Sequence, residues 1–370
     1  MPRAGRDLGH PDRRPTALCP VPGRGDHRDM SQRAESVAHG AAERAQVLAR
    51  NAQYLIATAA RAPSVHNSQP WRFQVTAQAV ELWSDPGRKL RTDPIGREML
   101  ISCGAAIFGL RLAVRSLGYQ PAVELLPDRA QLRLLARVAI GDALPMNALE
   151  RRMLAAVPHR HTHRGQFTAG PLPAGLLAGL QHDAIAEGAR LAFIEDGLPY
   201  ERLARIVADA ARRGDRDPRA RTEVRKWTRE PSSTARDGVP ATALAAGPAT
   251  RIPHGQLRQR DFDLGRGLAM LPGGAAGDGV PPAATAVLLT SRDRRGDWLC
   301  AGQALQRLLL HAAGQWVFAR LHTQPIEDPL ARDLIRTTLA LPGSPQMLLQ
   351  FGRADTAAST ARRPPDEVST

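Results

Sequence analysis

Two helical stretches in distant parts of the chain repeat one another, and this restricts the fold more than any other feature. Cys103-Gly104-Ala105-Ala106-Ile107-Phe108-Gly109-Leu110-Arg111-Leu112 aligns with Ala301-Gly302-Gln303-Ala304-Leu305-Gln306-Arg307-Leu308-Leu309-Leu310. Gly104 falls on Gly302, Ala106 on Ala304, Leu110 on Leu308 and Leu112 on Leu310. Each stretch follows a β-rich segment (Val80–Trp83; Ala286–Thr290) and precedes a glycine, Gly118 or Gly314. Small residues on an apolar helix let two backbones approach closely. Any two amphipathic helices share some pattern, so chance likeness is the competing account. Two related α+β halves fused in one polypeptide and folded on each other is the more economical one.

The remaining periodicity fits that plan. Apolar residues at helical spacing from about Ala42 to Ala60 predict an amphipathic helix, which Pro63 ends. Strands are expected at Phe73–Val75 and Val80–Trp83, a long helix over Arg97–Leu117, and strands near Ala122–Leu126 and Gln131–Ile140. A helix follows at Asn147–Ala156 and another at Ala174–Asp183, then a strand at Arg190–Ile194 and a helix at Pro199–Arg212. Beyond an irregular stretch come a strand at Ala286–Thr290, a helix at Asp297–Ala313 and a strand at Gln346–Phe351.

The first half is thus expected over residues 42–157 and the second over 158–370. Residues 1–41 are expected to form a disordered N-terminal extension, on the grounds of an opening rich in Pro, Gly and Arg up to Asp29. Met30 is an alternative start. Residues 214–282 lose regularity and gather Gly and Pro, which favours a lid.

A formal charge of +14 raises the question of nucleic acid. The basic residues are almost all Arg (Lys89 and Lys226 are the exceptions) and lie scattered beside acids, which argues against a dedicated nucleic-acid surface. No run of eighteen apolar residues predicts a membrane span. Three cysteines without paired spacing suggest neither disulfides nor zinc, so a reducing cytoplasm suits the chain.

Two segments concentrate polar groups. In Pro63-Ser64-Val65-His66-Asn67-Ser68-Gln69-Pro70-Trp71-Arg72-Phe73, two prolines stiffen a loop crowded with donors and acceptors. Such a loop suits the polar edge of a planar heterocycle, or it merely caps itself before an edge strand. In Pro158-His159-Arg160-His161-Thr162-His163-Arg164, two arginines and a hydroxyl suit a phosphate. The three histidines alternate without an acidic or Cys partner nearby, so no metal site is expected. A solvated basic loop is the plainer alternative.

The first segment resembles the Pro-Ser-x-x-Asn-x-Gln-Pro-Trp motif of FMN-dependent nitroreductases, and Arg160–Arg164 looks like the family's basic-Ser/Thr-x-Arg motif. With Thr92–Arg97, Gly343–Leu348 and Arg362–Val368, the closest resemblance is to the Acg family of nitroreductase-like proteins, from about Ala42 to Val368. It implies a nitroreductase-like α+β fold, an intramolecular pseudo-dimer with one FMN site. Pro63, Ser64, Val65, Asn67 and Gln69 would then face the flavin ring, and Arg160, His161, Thr162, Arg164 and Arg363 would grip the phosphate. Two departures stand out: His161 replaces a common Arg, so its charge depends on protonation, and Phe167 sits one place late.

The implied function is flavin-dependent, NAD(P)H-driven two-electron reduction of nitroaromatic or quinone-type acceptors by a monomer that acts as a fused dimer. FMN carries the chemistry, so no catalytic side chain is required, although Arg72 is a candidate near the flavin N1. The alternative is a protein that sequesters FMN under a closed lid without turnover.

Overall fold

The computed structural model describes residues 27–244, 257–268, 280–355 and 360–369, with side chains from residue 40 onward. The chain divides into two units, residues 1–43 and 44–370. Helix α1 is assigned over His27–Ala60, so helical backbone begins well before the Ala42 expected from periodicity. The disorder expected for the first residues concerns a stretch that lies, up to residue 26, outside the described residues.

Within the second unit, strands β1 (Trp71–Val75) and β2 (Ala79–Ser84) precede helix α2 (Arg97–Ser116). Strands β3 (Tyr119–Leu125) and β4 (Leu134–Ala143) and helices α3 (Ala148–Ala156) and α4 (Leu176–Ala186) follow, then β5 (Arg190–Ile194) and α5 (Leu198–Arg216). Helix α6 (Pro218–Trp227) and the short parallel pair β6 (Thr228–Arg229) and β7 (Val239–Pro240) come next. The chain continues through β8 (Ala284–Thr290), α7 (Arg295–Ala313), β9 (Val317–His322), α8 (Gln324–Glu327), α9 (Pro329–Thr338), β10 (Ser344–Arg353) and α10 (Pro365–Val368).

The two larger sheets among the described residues are four-stranded and antiparallel, in the orders β1-β2-β4-β3 and β5-β8-β10-β9. Counted along the chain, each sheet runs first, second, fourth, third strand, with α2 or α7 between its second and third strands. Those two helices are the repeated stretches, and both are buried along most of their length. By length and composition α2 is apolar enough to cross a membrane, but 83% of that window is buried inside the protein, as in a core helix.

The paired glycines explain the contact between the helices. A Cβ on Gly104 would lie 2.3 Å from the Leu299 carbonyl oxygen, and one on Gly302 would lie 2.0 Å from that of Ile101. The backbones therefore touch where the repeat places Gly opposite Gly. The helix ends differ: Gly118 takes a left-handed φ of 86°, whereas Gly314 stays right-handed and Trp316 carries the positive φ of 55°.

Periodicity located most of the longer elements but missed α6, β6, β7, β9, α8, α9 and α10. Helix α9 announces itself by Asp328-Pro329, with the Asp328 carboxylate accepting from the Leu330 N–H at 2.9 Å. The stretch expected to be wholly irregular, 214–282, in fact holds the end of α5, all of α6 and the β6–β7 pair. Residues 245–256 and 269–279 of it lie outside the described residues. Helix α6 is fixed by Glu223, whose carboxylate accepts from the Arg91 and Thr92 N–H groups at 2.8 and 2.9 Å.

Gly302→Ala should therefore destabilise the fold by about 3 kcal/mol or more, since neither helix can give way without separating the two sheets. Gly296→Ala, where a Cβ meets nothing within 4 Å, should be nearly neutral. Urea denaturation of both variants checks this, and equal midpoints would contradict the close-contact account.

Candidate functional site

The loop before β1 is held in an unusual shape. His66, Asn67 and Gln69 have φ of 55°, 54° and 50°, a left-handed conformation costly for side chains with a Cβ. Ser64 Oγ accepts from the Gln69 N–H at 3.0 Å, and Arg88 donates to the Ser68 carbonyl at 2.9 Å. The Asn67 amide donates to the Gly238 and Ala361 carbonyls, both at 3.1 Å. Gln69 donates to the Arg236 carbonyl at 2.8 Å and accepts from the Arg363 N–H at 2.9 Å. Asn67 and Gln69 thus clasp the segment after α6 and the C-terminal tail.

The second polar loop is pinned to the edge of β9. Thr162 bridges Ala319, and the His163 N–H donates to the Ala319 carbonyl at 2.9 Å. Aromatic contacts account for the alternating histidines: His159 stacks on Trp316 at 5.4 Å, His161 lies 4.5 Å from Phe318, and His163 stacks on Phe167 at 4.8 Å. Among the described residues no His/Cys/Asp/Glu group could hold a metal ion.

These placements bring arginines from three parts of the chain together. Arg61 donates to the Pro158 carbonyl at 2.8 Å, Arg160 to the Arg61 carbonyl at 3.1 Å and Arg362 to the Ala62 carbonyl at 3.3 Å. Arg164 completes the group electrostatically: burial and the charges of Arg160, Arg61 and Arg164 hold the Arg362 guanidinium well below its usual range. Burial alone lowers Arg164 to about 10, and burial with the Arg61 charge lowers Arg160 to about 10. No carboxylate among the described residues pairs with any of the four. Arg160 Nε and Nη1 and Arg362 Nε are buried without a hydrogen-bond partner. Unpaired, desolvated cations at this density are costly unless an anion joins them.

Arg164 also lines a cleft between the two polar loops. Its lining includes Pro63, Ser64, Val65 and His66 from the first loop, Thr162, His163 and Arg164 from the second, and Arg258–Arg260 with Phe262 from the segment before β8. The free space is about 80 Å3, well below the roughly 300–1,000 Å3 of small-molecule sites. Phe262 packs 5.4 Å under the Arg164 guanidinium and 5.5 Å from the His66 ring. Arg260 grips Glu327 with both carboxylate oxygens at 2.7 Å. It also points Nη1 at His66 Nε2, 3.4 Å away. A guanidinium only donates, so Nε2 accepts and Nδ1 carries the ring proton. Glu98, at the start of α2, lines the same cleft beside Ile101 and Ser102.

The sequence-predicted residues divide. Pro63, Ser64, Val65, Thr162 and Arg164 line the cleft, and Arg160 joins the arginine cluster. Asn67 and Gln69 face the segment after α6 and the tail instead. Arg363 pairs with Glu367, and it is its neighbour Arg362 that reaches the other arginines. Arg72 pairs with Asp85 at 3.2 Å, outside the cleft lining. His161 is held neutral, its pKa pushed down to about 4 by burial, and its Nδ1 faces the His159 carbonyl at 3.0 Å. Sequence reasoning missed Arg61, Glu98, Arg260, Phe262 and Glu327. For Glu98 a signal existed, an acid in the first turn of a long apolar helix; for the others no periodic signal exists.

Four buried histidines make stability depend on pH. Burial pushes His66 down to about 3 and His161, His163 and His322 down to about 4, from an ordinary 6.5. Their stabilising contribution is complete above pH 6.5 and is lost as pH falls towards their folded values. By pH 5 this amounts to on the order of 2 kcal/mol for each. Glu98, pushed up to about 7 by burial, acts in the reverse sense, its contribution lost as pH rises through that value. The four histidines outweigh it, so the melting temperature should fall between pH 7 and 5. A flat profile would contradict their neutrality.

Comparison with known proteins places this geometry in context. No family model matches the chain. The chain is 34% identical over 325 residues to "Putative NAD(P)H nitroreductase Rv3131" of Mycobacterium tuberculosis, covering 85% of this chain and 89% of that protein. It is 30% identical over 317 residues to "Putative NAD(P)H nitroreductase acg" of the same species, covering 84% and 92%. Among solved structures, a nitroreductase with bound FMN from Desulfitobacterium hafniense aligns at 12% identity with a TM-score of 0.36, over 61% of this chain and 98% of that one. A likeness that low carries no argument about the fold. On the two mycobacterial relatives, the chain belongs to the Acg family of nitroreductase-like proteins.

Proposed function

We propose that this chain is a nitroreductase-like oxidoreductase that holds one FMN, takes electrons from NAD(P)H and reduces nitroaromatic or quinone-type acceptors by two electrons. One observation carries the reading: Arg61, Arg160, Arg164 and Arg362 converge with no carboxylate paired to them among the described residues, leaving buried N–H groups on Arg160 and Arg362 without partners. A phosphate monoester supplies the missing negative charge and several acceptor oxygens at once. The donor set therefore fits the phosphate end of FMN. When bound, FMN supplies hydride chemistry at its ring. Arg61, Arg160, Arg164 and Arg362 hold the anion, while Pro63, Ser64 and Val65 form one wall of the ring's cleft.

The matching strand orders and the Gly104–Gly302 contact support a pseudo-dimer made from one chain, expected to be monomeric and cytoplasmic. The ring-facing loop comes from one half and Arg160–Arg164 from the other, so one site per chain follows. The segment Arg258–Phe262 would act as a lid, and the ring enters only when it moves, because the cleft as it stands is too small. That closure, latched by Arg260 on Glu327, favours a second reading in which FMN is sequestered without turnover.

Arg362→Ala should weaken FMN binding roughly tenfold to a hundredfold, the value of a charge-assisted hydrogen bond. The FMN-free variant should melt no lower than its parent, since one of several repelling buried cations is gone. Fluorescence titration and thermal melts check both; unchanged FMN affinity would contradict the phosphate assignment. Anaerobic mixing of the FMN-loaded protein with NADPH separates the two functions: rapid bleaching is expected, and lasting yellow colour would favour sequestration.

A further inference from the structure

Glu98 lines the cleft yet has no part in gripping the anion. It is the second residue of α2, buried, with Oε1 taken by the Arg97 guanidinium and Oε2 without a hydrogen-bond partner. Charged groups face it from every element packed around it: Arg97 on its own helix, Asp93 before that helix, Glu327 on α8 and Arg260 in the segment before β8. Arg332 on α9 also feels its charge. Most of these are committed elsewhere. Arg260 is held by Glu327, Arg332 pairs with Asp293 at 3.0 Å, and Asp93 accepts from the Met99 N–H at 2.9 Å. Arg97 is shared with Gln346 Oε1 at 2.9 Å and the Ile326 carbonyl at 3.1 Å.

Burial therefore dominates, pushing the carboxyl up to about 7, so that Glu98 holds an exchangeable proton near neutral pH. The histidines of the cleft cannot do so: His66, His163 and His322 are all held neutral.

We propose that Glu98 is the proton donor of the cleft, protonating the oxygen of the acceptor that is reduced there. This rests on the oxidoreductase reading. Reduction of a quinone to a hydroquinone consumes two electrons and two protons. A hydride derived from the reduced nicotinamide brings both electrons and one proton, leaving one acceptor oxygen anionic. The Glu98 O–H bond breaks, the acceptor O–H bond forms, and the new carboxylate stays beside Arg97 until solvent reprotonates it. Because the active form is protonated, acceptor reduction slows as pH rises through about 7.

The test compares the FMN-loaded parent with Glu98→Gln and Glu98→Asp, using a soluble benzoquinone as acceptor. Reduction by NADPH and reoxidation by the quinone are followed separately across pH. Glu98→Gln should slow quinone reduction on the order of a hundredfold and remove its alkaline fall, with FMN content and NADPH reduction unchanged. Glu98→Asp should restore part of the rate and the fall. Independently of turnover, infrared difference spectra should show a protonated-carboxyl band that titrates near neutrality in the parent and is missing in Glu98→Gln. A Glu98→Gln protein with the parent's rate and pH profile, or with that band intact, overturns the Glu98 assignment alone. A parent that takes electrons from NADPH but passes none to any acceptor, or takes none, overturns the oxidoreductase reading and this proposal with it.

Discussion

The backbone contact between α2 and α7 at Gly104 and Gly302 sets the distances on which everything else depends. Each helix belongs to one sheet, so their closest approach fixes how near the two sheets come. It also places the first turn of α2, with Glu98 and Ile101, opposite Leu305 of α7 and the edge of β9. The cleft opens where those three elements meet. A side chain at either glycine would push carbonyl oxygens apart and widen the seam along its whole length, which is why a small local change has a global cost.

Within that frame the electrostatics are arranged against stability. Four guanidiniums gather with no paired carboxylate among the described residues, and the strained His66–Gln69 loop is held by bonds to distant segments as well as by the Ser64–Gln69 bond. Asn67 and Gln69 couple the loop to Gly238 and Arg236 on one side and to Ala361 and Arg363 on the other. The tail is carried to the site this way, and Arg362 arrives among the other arginines as a consequence. Structures retain features that destabilise them chiefly where a ligand repays the cost.

The cleft itself divides its polar groups by protonation. Burial holds the histidines of the cleft neutral and pushes the Glu98 carboxyl, which shares Arg97 with other acceptors, up to about 7. The same burial moves both kinds of group in the direction that removes charge. The cleft thus combines arginines, neutral histidines and one buried acid in its lining. That arrangement suits a ligand with an anionic end and a redox-active or proton-accepting one.

The repeat, the two polar loops and most regular elements were legible in the sequence, because periodicity and close-packed glycines are local consequences of burial. Gly104 and Gly302 could be paired by eye, Ser64, Thr162 and Arg164 stood out by residue type, and Val65 followed from the family resemblance. Which side chains face the cleft was decided by tertiary structure. Arg362 rather than Arg363 meets Arg160, since the direction of a tail residue depends on where its neighbours' backbone bonds go. Arg260, Phe262 and Glu327 come from irregular or short segments with no period to read, and only folding brings Arg260 and Phe262 into the cleft wall with Glu327 on Arg260. Glu98 drew no notice in the sequence, because its raised proton affinity comes from desolvation by everything packed around it.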